Sequence, residues 1–259
     1  MPSVAQRLDT DIRSASAARA ARDLLVPGDV LSQVHRFAHT LLYAGSRGLV
    51  AITDRTASHS VCAVRVAPET FADLATTDYL DVGVRTLHAG SLTIDLARTW
   101  DTRVRAWRRP PAQVCSELRH ALAEAGRGLP LDTALEPADL VGRGEGLTPS
   151  GDDLLCGAFG AAHAWGEPAD VERLWALTVP HLAGTTDLSA QFLRSAAAGQ
   201  VAGELRELLL GLSRGVWRAA YDDLLRLGHT SGADLAHGTL LYLDTLHRVA
   251  NDDEETTPR

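Results

Sequence analysis

A chain of 259 residues, 45% hydrophobic and 22% charged, has the composition of an ordinary globular protein and is long enough for one large or two modest domains with buried cores. The net charge of −8, with no basic run interleaved with aromatic residues, argues against a nucleic-acid partner. All 25 basic residues are arginine, which excludes a Schiff-base lysine, a lysine general base and a Walker A lysine.

The N-terminal MPSVAQRLDTDIRSASAARAARDLL carries acids and no apolar run, unlike a signal or transit peptide. A helix is expected from about Ala5 to Leu25. From Val30 to about Trp100 the texture turns to short β-type runs: Gly48–Thr53, Val61–Val66, Val84–His88 and Ser91–Leu96, separated by turn signals at Ala44–Gly48 and Ala89–Gly90. Val84 to Leu96 reads as a hairpin. Arg108-Arg-Pro-Pro111 reads as a linker, because consecutive prolines stop a helix and stiffen the connection. From Ala112 onward the periodicity is helical. The expected fold class is therefore α+β, a small β-rich N-terminal domain with a leading helix over residues 1–108 followed by an α-helical domain over 112–250, with an acidic, solvated tail at 251–259. Cys62, Cys115 and Cys156 are odd in number and share no ligand spacing, so they read as reduced thiols in a cytoplasmic protein. No stretch reaches the roughly 18 apolar residues of a membrane span, so no membrane partner is expected.

The richest segment is Gly142–Gly157, GRGEGLTPSGDDLLCG. Gly142, Gly144 and Gly146 allow positive φ and close approach of a ligand to the backbone. Ser150 is placed as an N-cap, with Asp153 completing a capping-box-like pattern ahead of Leu154, Leu155, Ala158 and Phe159. Such a loop at a helix start directs N–H groups towards one point, where a phosphate or carboxylate fits. Asp152 and Asp153 oppose that charge, so an anion there calls for a cation such as Mg²⁺ or an arginine. A capped helix with an acidic first turn is the competing account.

A second copy strengthens the case for a site. Ser150-Gly-Asp-Asp153-Leu-Leu-Cys-Gly157 aligns with Ser231-Gly-Ala-Asp234-Leu-Ala-His-Gly238, with five of eight positions identical. A duplicated helix start lets two N-termini face one pocket, each bringing a hydroxyl and a carboxylate; two separately capped helices is the alternative. Gly157, Gly160, Ala161 and Ala164 form a stripe of small residues that lets another helix come close. The segment Thr185–Gly199 is a candidate partner, with Thr185, Thr186 and Ser189 clustering hydroxyls at its start, although capping explains either threonine alone. His163, His237 and His247 read as packed or surface histidines, whereas His229 adjoins Thr230 and Ser231. The five tryptophans are scattered and read as core or interface anchors.

The phrase GxGxGLTPSGDD at Gly142–Asp153, followed by the TT-x-x-S start at Thr185–Ser189 and the TSGxD element within Gly228–Gly238, resembles the AllH-type subunit family of oxamate carbamoyltransferase. The resemblance covers the helical half. It implies late purine or allantoin nitrogen catabolism, in which oxalurate and phosphate give oxamate and carbamoyl phosphate through three different subunits, this chain being one. The Ser-Thr-Arg-Thr-Arg phosphate signature of ordinary carbamoyltransferases is absent, so nothing transfers from that larger fold. On this reading Gly144, Gly146, Thr148, Ser150, Gly151, Thr185, Thr186, Ser189, Thr230, Ser231 and Gly232 bind a small anionic substrate: a ureido acid, phosphate or carbamoyl phosphate. Asp152, Asp153 and Asp234 act catalytically, orienting a substrate N–H or holding Mg²⁺. A non-catalytic module that binds an effector and regulates a partner enzyme, and a Mg²⁺-dependent hydrolase, remain as alternatives.

Overall fold

The computed structural model describes the backbone of residues 11–256 and side chains to residue 247. Two compact units divide between Asp101 and Thr102.

The N-terminal unit contains β1 (Asp11–Ala18), α1 (Arg19–Leu24), β2 (Val30–Arg36), β3 (Thr40–Gly45), β4 (Gly48–Thr53), β5 (Ala63–Arg65), α2 (Pro68–Leu74), β6 (Tyr79–Val82), β7 (Thr86–Ala89) and β8 (Leu92–Trp100). The strands close into a barrel in the order β1-β5-β4-β3-β2-β6-β7-β8, with β8 returning to pair in parallel with β1. Leu31, Leu41, Tyr43, Val50, Ile52, Val64, Leu80, Leu87 and Ile94 are buried and form its core. Each such side chain contributes roughly 1.5–3 kcal/mol by leaving water.

This corrects the fold class read from the sequence. The N-terminal region is a closed eight-stranded barrel, and no helix leads into it over the described residues: Asp11–Ala18 is a strand, and only Arg19–Leu24 is helical. Residues 5–10 of the expected helix lie outside the described residues. Alanine favours helices when local propensity decides. Here Ala15, Ala17 and Ala18 are buried in a strand held between β5 and β8, so tertiary pairing prevails. The expected hairpin from Val84 to Leu96 forms as β7 and β8, and the expected strand Gly48–Thr53 is β4.

The second unit begins with an extended segment whose Val104 and Trp107 N–H groups donate to the carbonyls of Gly199 and Ala164. There follow α3 (Ala112–Ala125), α4 (Pro137–Leu140), α5 (Ser150–Trp165), α6 (Pro168–Thr178), a 3₁₀ segment (Val179–Gly184), α7 (Asp187–Ala197), α8 (Gly203–Arg214), α9 (Arg218–Leu224) and α10 (Ser231–Thr256). Every residue of α5 except Ser150 and His163 is buried. A helix without a polar face is a central helix, and α10, α7, α8, α6 and α4 pack around this one. α10 runs to Thr256, through most of the segment expected as a solvated tail; residues 257–259 lie outside the described residues.

Candidate functional site

α5 and α10 cross through their glycines. A β-carbon on Gly157 would collide with the carbonyl of Leu235, and one on Gly238 would collide with the carbonyl of Leu154. These four residues occupy matching places in the two copies, the fifth and eighth positions of SGxDLxxG. The match extends to the second position, where Gly151 lies against the carbonyl of Leu140 at the end of α4 and Gly232 against that of Leu224 at the end of α9. The duplicated segments therefore pack reciprocally, and the close backbone approach that only glycine permits brings both helix starts to one place.

At that place the side chains interleave. Thr148 Oγ1 lies 3.4 Å from Ser231 Oγ, and Ser150 Oγ lies 3.2 Å from Thr230 Oγ1. Behind these four hydroxyls stand Asp153, 6% exposed, and Asp234, 0% exposed. Each keeps one oxygen, Oδ2, buried and unpaired. Burial pushes the Asp153 carboxyl up to about 7; the Ser231 hydroxyl pulls it partly back, the charges of Asp234 and Asp152 raise it further, and Thr148 offsets part of that. Burial also raises Asp234, against the Leu129 N–H and the hydroxyls of Ser150 and Thr230. Each carboxyl is thus served by a hydroxyl from the other copy: Asp153 by Ser231, and Asp234 by Ser150.

Asp152 has a different environment. Its Oδ1 accepts the Gly142 N–H at 2.9 Å, and its Oδ2 accepts the hydroxyls of Ser189, at 2.7 Å, and Thr185. It pins the glycine loop and the start of α7 to α5. Thr186 caps α7, its Oγ1 accepting the Ser189 N–H at 3.1 Å and donating to the Leu147 carbonyl at 2.6 Å. Thr185, Thr186 and Ser189 are therefore gathered at the back of the loop, engaged with Asp152 and the backbone. Gly144 adopts φ +121°, and a β-carbon there would stand 2.7 Å from the Ser150 nitrogen. The loop from Arg143 to Gly146 is exposed, with open space beside Gly146.

Two local expectations are corrected. Ser150 is not the N-cap; Pro149 holds that position, and the Ser150 hydroxyl reaches Thr230 instead. The Gly151 N–H is also not directed at a ligand, because it donates to the Arg143 carbonyl at 2.8 Å. The N–H groups of Asp152 and Asp153 donate to the Pro149 carbonyl, and those of Gly232 and Asp234 to the carbonyls of Leu227 and Thr230. Carbonyls have taken these five N–H groups, donors of the kind that make a helix start attractive to anions. What converges on the site is hydroxyls and carboxyls.

Sequence reasoning missed two contributors. The Leu129 N–H donates to Asp234 Oδ1 at 2.7 Å, and Gly128 lies so close that a β-carbon would stand 2.6 Å from the same oxygen. The signal was Gly126-Arg-Gly128-Leu-Pro130, a second glycine-spaced turn ahead of a proline. His237, one turn after Asp234, is 2% exposed; burial lowers its pKa, while Asp234 and the Leu131 backbone oppose that. His229 is exposed beside Thr230. For a divalent ion the site offers Asp153 and Asp234, and no group of three or more His, Cys, Asp or Glu is arranged to hold a metal among the described residues. Among those residues no helix is long and apolar enough to cross a membrane.

Residues 140–243 match the family described as oxamate carbamoyltransferase subunit AllH. This bears out the resemblance carried by GxGxGLTPSGDD, and the matched span runs from the end of α4 into α10. It contains every site residue expected from the sequence and excludes Gly128 and Leu129. No solved structure matches the chain.

Proposed function

We propose that this chain is a subunit of an oxamate carbamoyltransferase-type enzyme, and that its paired helix starts bind a ureido or carbamoyl compound. The observation that carries the proposal is the pair of buried carboxyls, Asp153 and Asp234, each with an unpaired oxygen behind the crossed hydroxyls of Thr148, Ser150, Thr230 and Ser231. The family match over this segment supplies the reaction class and the term subunit.

The reaction joins oxalurate and hydrogen phosphate to give oxamate and carbamoyl phosphate. A phosphate oxygen bonds to the carbamoyl carbon, the bond from that carbon to the oxamate nitrogen breaks, and one proton moves from the phosphate to the departing nitrogen. Asp153, held up to about 7, is the carrier: its carboxyl gives a proton to the leaving nitrogen and regains one from hydrogen phosphate. Asp234 opposite holds the substrate N–H groups, and the exposed loop at Gly144 and Gly146 receives the anionic end. Asp152 acts as a positioning residue through the Gly142 N–H and the start of α7. Oxalurate points to purine and allantoin nitrogen catabolism in the cytoplasm, with companion subunits completing the enzyme. Three free, buried cysteines fit a reducing compartment.

The test is carbamoyl phosphate formation from oxalurate and phosphate by the chain co-purified with its companion subunits, with and without Mg²⁺. Turnover lost in Asp153→Asn with complex assembly retained is the expected result. An Asp153→Asn complex as active as wild type overturns the assignment. Ligand binding without turnover in any assembly would make the chain an effector-binding module.

A further inference from the structure

We infer that Asp153 and Asp234 together read the nitrogen of the ligand: once Asp153 has given its proton to the leaving nitrogen, their two unpaired Oδ2 atoms accept the N–H groups of the resulting carboxamide –NH₂, so the site selects amides over acids of the same shape that lack them. The inference rests on the ureido-acid reading above and adds the chemical group that is discriminated.

The count of donors leads there. A hydroxyl donates one hydrogen. The Thr148–Ser231 and Ser150–Thr230 contacts each consume one, leaving one hydrogen in each pair for a carboxyl. The neighbouring helix-start N–H groups of Gly151, Asp152, Asp153, Gly232 and Asp234 are committed to carbonyls. Leu129 supplies the N–H that reaches Asp234, at Oδ1. Asp153 Oδ2 and Asp234 Oδ2 are left without donors, in side chains 6% and 0% exposed. A buried acceptor left unpaired is destabilising, more so when charged. A ligand donor at each oxygen recovers that cost, and an –NH₂ group carries two donors on one atom. The two acceptors come from equivalent positions of the duplicated segment, which suits a group that presents two like hydrogens.

Oxamate and pyruvate are the probes, because they share the oxo-acid skeleton and differ by –NH₂ against –CH₃. Calorimetric titration of the full chain is expected to give oxamate at least thirtyfold tighter binding than pyruvate. In Asp153→Asn the gap should shrink below threefold with the unfolding midpoint no lower than that of wild type; Asp234→Asn should narrow the gap likewise, and where it fails to fold, Asp153→Asn decides. Wild-type binding of the two acids within threefold of each other overturns the inference, as does binding of neither at millimolar concentration. Carbamoyl transfer by the complex without this discrimination would sink the inference alone, and discrimination without transfer in any assembly would sink only the enzymatic reading.

Discussion

Gly238 lies directly on the carbonyl of Leu154, and seven residues after Ser150 the reciprocal contact sets Gly157 on the carbonyl of Leu235. In both contacts the obstacle is backbone, which cannot rotate aside as a side chain can. Gly238→Ala must therefore push α10 off α5. Overpacking of this kind costs typically 1–3 kcal/mol, and a backbone obstacle puts the change at the upper end. Urea unfolding should show the loss, and ligand binding should fall with it because the two helix starts separate. Gly215→Ala is the control for any general effect of adding a methyl at a glycine: it ends α8 at φ +73° with open space around its β-position, so it carries backbone strain without a clash.

Asp153 ties stability to pH. Its carboxyl titrates from the ordinary 3.8 when unfolded and at about 7 when folded, because burial disfavours the charge. Folding therefore favours the protonated form. The stability contributed by this group is complete below about pH 4, falls as pH rises through the window from 3.8 to about 7, and levels off above it. The span corresponds to at most about 4 kcal/mol. Asp153→Asn should be more stable than wild type at pH 8 and should flatten the decline between pH 4 and 7, with a residual slope from Asp234, whose carboxyl is raised as well. Thermal unfolding across that range checks it; a variant that melts lower than wild type at pH 8 would contradict the burial argument.

The adjacent aspartates should separate cleanly. Asp152 accepts the Gly142 N–H and the hydroxyls of Ser189 and Thr185, with no oxygen left over, so its charge belongs to the architecture. Asp152→Asn replaces one acceptor by a donor facing donors and should cost about 1–3 kcal/mol. It should also speed amide exchange in the Gly142–Gly146 loop. Asp153→Asn should leave that loop protected while removing turnover. Equal exchange behaviour in the two variants would mean that the loop is held by something other than Asp152.

Much of the site was legible because its signals are local. SGDD and SGAD stand in the chain as similar phrases, and their glycines at matching positions mark the α5–α10 contact. What separates Asp152 from its neighbour was not legible, because adjacent helical residues point in different directions and only α7 decides which of them meets Ser189. The partner of Asp234 came from Leu129, 105 positions away, through a backbone N–H that no residue type reveals. In the N-terminal unit β4 and the β7–β8 hairpin were readable from β-branched runs and turns. Closure of the barrel was not, because it depends on β1, an alanine-rich strand whose small side chains look helical until β5 and β8 flank it.

Ser150 distinguishes a site from a cap. Serine at the start of a helix ordinarily accepts an N–H of the first turn, and its replacement by alanine then costs about 1 kcal/mol. Here Pro149 is the cap residue, the Asp152 and Asp153 N–H groups donate to the Pro149 carbonyl, and Ser150 Oγ pairs with Thr230 while serving Asp234. Ser150→Ala removes a hydroxyl that lowers the Asp234 pKa, so that carboxyl should rise further and hold its proton to higher pH. Below about pH 4, where Asp234 holds its proton with or without Ser150, unfolding free energy should change little, and a loss should appear only at higher pH, where the buried carboxylate lacks a donor. Ligand affinity should fall about tenfold, the equivalent of one hydrogen bond to a charged group. Thr186→Ala, which removes the true cap of α7, should show the opposite pattern, losing about 1 kcal/mol of stability with a smaller effect on affinity. Chemical denaturation and calorimetry on the two variants read both quantities, and a stability loss in Ser150→Ala below about pH 4 matching that of Thr186→Ala would return Ser150 to the role of an ordinary cap.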